Sequence, residues 1–128
     1  MAHQARKRFG QHFLTDANYI NAIVSAIRPK SGDRVVEIGP GLGAMTLPLL
    51  NQLDQLDVVE IDRDLVSFWG KKNISNLQIH QADALKFDFR QWALEAKADM
   101  ASKKTSGSVK IVGNLPYNIS SPLPASSK

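Results

Sequence analysis

Arg34-Val-Val-Glu-Ile-Gly-Pro-Gly-Leu-Gly43 decides the fold of this chain. Arg34 to Ile38 is a short, mostly apolar run of the kind that forms a buried strand, and the glycine-rich turn Gly39 to Gly43 follows without a spacer. Glycines there let the backbone turn tightly and approach a ligand where a Cβ would clash. A helix is expected next, from about Ala44 to Gln52, with Pro48 tolerated near its first turn.

The same alternation continues on both sides. Upstream, Asp16 can cap a helix whose apolar positions Ile20, Ile23, Val24 and Ile27 follow helical spacing, and Pro29 and Gly32 end it. Downstream, Leu56 to Ile61 reads as a second strand, and Asp62 caps a helix through Leu65, Val66, Phe68 and Trp69. Leu77 to Gln81 reads as a third, shorter strand that ends near Asp83. Arg90 to Ala98 is expected to be helical, and the polar stretch from Lys97 to Ser108 to be a surface loop. Lys110 to Gly113 forms a fourth strand and leads into Asn114-Leu-Pro-Tyr117. Strands alternating with helices imply an α/β fold with a parallel sheet, whose ligands sit at the carboxyl ends of the strands. The chain's 128 residues, 43% of them apolar, suffice for one core.

Charge is uneven. Residues 1–30 carry five Lys/Arg against one acid, residues 31–100 seven against eleven, and residues 101–128 four against none. Basic ends can follow a phosphate backbone or simply be solvated, so charge alone does not choose. No apolar run is long enough to cross a bilayer. Met1 to Gly10 lacks the apolar stretch of a secretory signal, so a cytoplasmic protein is expected. With no cysteine, and with His3, His12 and His80 not spaced as zinc ligands, no metal site is expected.

The turn and its neighbours carry the chemistry. Glu60, ending the second strand, can accept hydrogen bonds from both hydroxyls of a ribose, a geometry common to NAD enzymes and to methyltransferases. Dinucleotide sites favour G-x-G-x-x-G facing a pyrophosphate. Here the run is G-x-G-x-G (Gly39, Gly41, Gly43) with Glu37 two residues upstream. An acid beside the turn suits S-adenosylmethionine, with its sulfonium and amino group, better than a pyrophosphate. Glu37 can instead cap the turn's own N–H groups. Asp83 can accept from an adenine amino group or can serve as a turn residue.

Asn114-Leu-Pro-Tyr117 is the most informative element. The Asn114 side-chain oxygen and a backbone carbonyl of Leu115-Pro116 can accept the two N–H groups of an adenine N6. That favours a pyramidal nitrogen with its lone pair aimed at a methyl donor. Pro116 stiffens the turn, and Tyr117 offers a ring on which an extruded base can stack. Positioning and charge placement then supply most of the catalysis. The other reading is an ordinary Asn-X-Pro turn with a packed tyrosine.

Taken together, Arg6-Lys-Arg-Phe-Gly-Gln-His-Phe-Leu14, Val36 to Gly43, Val59-Glu-Ile-Asp-Arg-Asp64 and Gly113 to Ser120 resemble the ribosomal RNA adenine dimethyltransferases that act on the small ribosomal subunit. The resemblance covers nearly the whole chain. It implies a Rossmann-like S-adenosylmethionine-dependent methyltransferase fold, and conversion of two adjacent adenines of small-subunit ribosomal RNA to N6,N6-dimethyladenine during ribosome maturation. Carried over by position, it implies cofactor contacts from His12, Leu14, Gly39, Glu60, Asp83 and Asn114. It also implies target-adenine contacts from Asn114 to Tyr117, and RNA phosphate contacts from Lys7 and Arg8. The family often has asparagine where this chain has His12, which puts that side-chain contact in question.

The resemblance further implies a basic arm over residues 1–15, a partial cofactor-binding domain over 16–123 and a disordered tail over 124–128. Further strands and a helical domain are expected in family members beyond that point. A chain truncated after its fourth parallel strand is expected to be weakly active or inactive alone, and to self-associate through the exposed sheet edge. Two rival readings are a NAD-binding Rossmann domain and a non-catalytic RNA-binding or ribosome-assembly module. Alanine at Asn114 separates the last of these, because a pure binding role would survive it.

Overall fold

The structure, a computed structural model, describes residues 17–113. Those residues form helix α1 (Ala17–Ile27), strand β1 (Arg34–Ile38), helix α2 (Thr46–Leu50), strand β2 (Leu56–Glu60), helix α3 (Arg63–Gly70), strand β3 (Leu77–Gln81), helix α4 (Phe89–Ser102) and strand β4 (Val109–Gly113). All strand pairs are parallel, in the order β3-β2-β1-β4. The chain steps outward from β1 through β2 to β3, then returns to lay β4 on the other side of β1. Strand order therefore reverses between β1 and β4.

Side-chain alternation along the strands builds two cores. On one face Val35, Leu56, Val58 and Val112 pack with Ile20 and Val24 of α1 and with Met45, Leu49 and Leu53 around α2. On the other, Val36, Ile38, Val59 and Ile111 pack against Trp92 and Ala96 of α4. The apolar stripe predicted for α1 faces the first core, with Ile23 and Ile27 partly buried against it. The end of α1 meets a cation. Lys110 Nζ donates to the carbonyls of Ile27 and Arg28 at 2.8 and 3.0 Å, and to Asp33 Oδ2 at 2.9 Å. The carbonyl ends of a helix favour such a charge, and the contact ties β4 to the start of β1.

Two helices differ from the sequence reading. α2 is confined to Thr46–Leu50: Ala44 and Met45 lie in the turn closed by the Leu47 N–H donating to the Gly43 carbonyl at 3.2 Å, and Pro48 has no N–H to continue that ladder to Ala44. α4 runs to Ser102, so half of the stretch read as a loop from Lys97 to Ser108 is helical. Met100 continues the buried stripe of Trp92 and Ala96 at four-residue intervals, and Asp99 Oδ2 accepts from Arg34 Nη1 at 3.0 Å. Burial and an ion pair outweigh the polar local composition.

Candidate functional site

β1, β2 and β3 each end within two residues of a residue singled out in the sequence, and the strand order reverses between β1 and β4, the place where open parallel sheets bind their ligands. Gly113, the last residue of β4, pairs with Ile38, so the chain leaves the sheet beside the glycine turn. Gly39, Gly41 and Gly43 have φ of +69°, +58° and +98°, which other residues adopt only with strain. Their roles differ. A Cβ on Gly39 or Gly41 would meet nothing within 4 Å, so these two need their backbone conformation and leave open space above it. A Cβ on Gly43 would lie 2.6 Å from Trp69 Cη2, so Gly43 is required by packing beneath the turn.

Glu37 and Glu60 project from the same face of the sheet. Glu37 is fully buried, and its Oε1 accepts from Thr46 Oγ1 at 2.6 Å. Its Oε2 is buried without a hydrogen-bond partner among the described residues. Burial pushes its carboxyl up from 4.5 to about 7; the Thr46 hydroxyl opposes the rise and the nearby Glu60 charge adds to it. The alternative role of capping the turn's N–H groups is not what the side chain does. The Gly39 N–H donates instead to the Val59 carbonyl at 2.9 Å, stitching the turn to β2.

Glu60 is nearly buried, and its Oε2 accepts from the Asp62 N–H at 3.0 Å. Asp62 in turn caps α3, accepting from the N–H groups of Asp64 and Leu65. Asp83 Oδ1 accepts from the Leu85 N–H at 2.9 Å, and its carbonyl accepts from Lys86 and Phe87. Asp83 is thus a turn residue with one oxygen engaged. Beside these acids stand exposed apolar side chains: Leu42 in the turn, Ile61 after Glu60, and Leu85, which is 94% exposed.

The set of acceptors suits a cationic, ribose-bearing ligand. Carboxylates end or follow consecutive strands, the turn is open where the backbone is bare, and a buried carboxylate oxygen lies unpaired beneath it. A pyrophosphate would meet the charge of these acids instead of a compensating cation. Sequence reasoning missed Thr46 and Trp69, and the apolar pair Ile61 and Leu85. Single exposed apolar residues carry little information in a sequence, and nothing local marks Thr46 as the partner of a strand glutamate. His12, Leu14, Lys7 and Arg8, together with Asn114, Leu115, Pro116 and Tyr117, lie outside the described residues.

Comparison with known proteins gives the family. The family model described as ribosomal RNA adenine dimethylase matches residues 2–125. A ribosomal RNA small subunit methyltransferase A from Nitrosomonas europaea is 51% identical over 123 residues, covering 96% of this chain and 43% of that protein. The protein of the same name from Bordetella avium is 54% identical over 122 residues, covering 94% and 42%. The chain therefore spans about two-fifths of the length of these curated relatives.

Among solved structures, a dimethyladenosine transferase from Plasmodium falciparum superposes with a TM-score of 0.54 at 22% identity, over 76% of this chain and 41% of that one. The 23S rRNA methyltransferase ErmE does so with a TM-score of 0.55 at 22% identity, over 80% and 48%. These two likenesses show the fold, a Rossmann-like parallel α/β sheet. With the glycine turn, the strand-end acids and a family match across nearly all its residues, the chain belongs to the ribosomal RNA adenine dimethylase family.

Proposed function

We propose that the chain forms the S-adenosylmethionine-binding part of an enzyme that dimethylates N6 of two adjacent adenines in small-subunit ribosomal RNA. The observation that carries this reading is the row of carboxylates Glu37, Glu60 and Asp83 at the carboxyl ends of β1, β2 and β3, with a bare glycine turn following β1. Glu60 binds the ribose hydroxyls and Asp83 the adenine amino group. Gly39 and Gly41 let the methionine part lie against the main chain, and Glu37 sets the negative potential beneath it. His12 and Leu14 complete the cofactor contacts.

S-adenosylmethionine, when bound, supplies an electrophilic methyl group on a sulfonium. Asn114, with a carbonyl of Leu115-Pro116, accepts the N6 hydrogens of the target base and turns its lone pair towards that methyl. Tyr117 stacks on the base. No strong base is needed, since the methylated nitrogen is acidic and gives up its proton readily. Catalysis is then mainly orientation and electrostatics. Lys7 and Arg8 meet RNA phosphates. The rRNA substrate and a place in ribosome maturation belong to the same proposal.

Calorimetric titration of the chain with S-adenosylmethionine and, separately, with NAD tests the cofactor reading. Saturable binding of S-adenosylmethionine alone is expected. Glu60→Ala should weaken it roughly 10–100-fold, the effect of losing hydrogen bonds to a charged acceptor. Binding of NAD instead, or S-adenosylmethionine binding indifferent to the substitution, would overturn it.

A further inference from the structure

Trp69, the penultimate residue of α3, is 1% exposed and lies beneath the glycine turn. Its indole Nε1–H donates to the Gly41 carbonyl at 2.8 Å, across 28 residues of sequence. Its six-membered ring edge fills the space that a Cβ on Gly43 would need, with Cη2 at 2.6 Å and Cζ2 at 2.8 Å from that point. The ring is itself held from outside: Phe68 packs edge-on at 5.4 Å, and the Lys72 ammonium lies 4.5 Å from the Phe68 ring centre. A buried indole N–H needs an acceptor, and here the acceptor is a carbonyl of the turn.

The direction of that hydrogen bond has a consequence for the ligand side. In a trans peptide the C=O and N–H point in opposite directions. With the Gly41 carbonyl drawn down onto the indole, the Leu42 N–H is turned away from α3. Gly41, at positive φ, offers little steric resistance to rotation of that peptide unit, and the indole hydrogen bond is a partner from outside the turn that favours one orientation.

We propose that Trp69 is a positioning residue: it pins the Gly41–Leu42 peptide so that the Leu42 N–H is presented as a donor to the ligand of the turn. This rests on the cofactor reading above, in which that ligand is S-adenosylmethionine and the acceptor is its carboxylate. Gly43 is the counterpart of this device, since only a residue without a Cβ leaves room for the ring that carries the N–H.

The test compares the chain with Trp69→Phe, which keeps a ring in place but removes the donor. Amide hydrogen exchange is read at Gly41, Leu42 and Gly43, with the β1 amides as internal reference, alongside calorimetric affinity for S-adenosylmethionine. The expected result is about tenfold faster exchange at the turn, unchanged exchange in β1 and about tenfold weaker binding, as for loss of one buried hydrogen bond. Turn amides that accelerate only in step with β1 would overturn the proposal, because Trp69 would then be ordinary core. So would a loosened turn with unchanged affinity. If the unsubstituted chain binds no S-adenosylmethionine, the cofactor reading fails and the ligand role of Trp69 falls with it. The exchange measurement tells that failure apart, because it reads the turn without ligand.

Discussion

Replacing Asp57 with alanine is expected to destabilise the fold by about 3–5 kcal/mol, the range for removing one partner of a buried charge network. Asp57 lies on the α4 face of β2, where alternation would otherwise place an apolar residue, and its side chain is 3% exposed. Its Oδ2 accepts from Trp92 Nε1 at 3.1 Å and is hydrogen-bonded to His80 Nε2 at 2.8 Å, while Oδ1 accepts from Gln55 Nε2 at 3.1 Å. Arg34 stands 3.6 Å away and is shared with Asp99. Burial pushes the Asp57 carboxyl up, but the His80, Trp92 and Gln55 hydrogen bonds and the Arg34 charge more than reverse this, leaving it below its ordinary 3.8.

Alanine would strand the Trp92 N–H and leave Arg34, whose Nε has no partner among the described residues, with less compensation. Asp57→Asn should cost less than Asp57→Ala, since an amide oxygen still accepts from Trp92. A folded-state carboxyl held below its unfolded value contributes stability that is present above the unfolded value and lost as pH falls through the folded one. Urea unfolding at neutral pH and below pH about 4 measures both effects. A loss under about 1 kcal/mol for Asp57→Ala would mean that the network is replaceable.

How much of this was legible in the sequence depends on the distance over which each feature is written. Strands β1 and β3 and the cap at Asp62 follow from neighbouring residues: apolar runs bounded by glycine or a capping acid. The glycine turn is legible for the same reason, and so is its family. The support beneath the turn is not. Thr46 reaches Glu37 only because the chain has turned at Gly43, and Trp69 reaches Gly41 only because α3 packs back under it.

Asp57 looks like a solvated charge until parallel register sets it opposite Gln78, on the same face as the Val59–His80 pair, and α4 brings Trp92 over it. The length of α4 fails to be legible by a related route. Asp99 and Met100 read as the start of a polar loop, yet one finds Arg34 from β1 and the other is buried, contacts that tertiary packing alone supplies. Most of the features missed are long-range contacts, and the polar ones sit under or behind a motif that was seen.

Stability should also fall as pH rises through neutrality, and Glu37→Gln should remove that dependence. The Glu37 carboxyl is raised from 4.5 to about 7 by complete burial, with Glu60 adding and Thr46 opposing. The folded state therefore holds this proton more tightly than the unfolded chain. Its contribution is fully present below 4.5 and is lost as pH rises through about 7. The shift from 4.5 to about 7 corresponds to about 3 kcal/mol.

The difference in unfolding free energy between the chain and Glu37→Gln isolates this group, because other titrations largely cancel. It should change by about 3 kcal/mol between pH about 4 and about 8; a flat difference would show that Glu37 is solvated. Thr46→Val should move the transition to higher pH, since the hydroxyl favours the ionised form. The site gains from holding a carboxyl so close to its transition. A cationic ligand above the turn favours the carboxylate, so its binding should release a proton and tighten as pH rises through about 7.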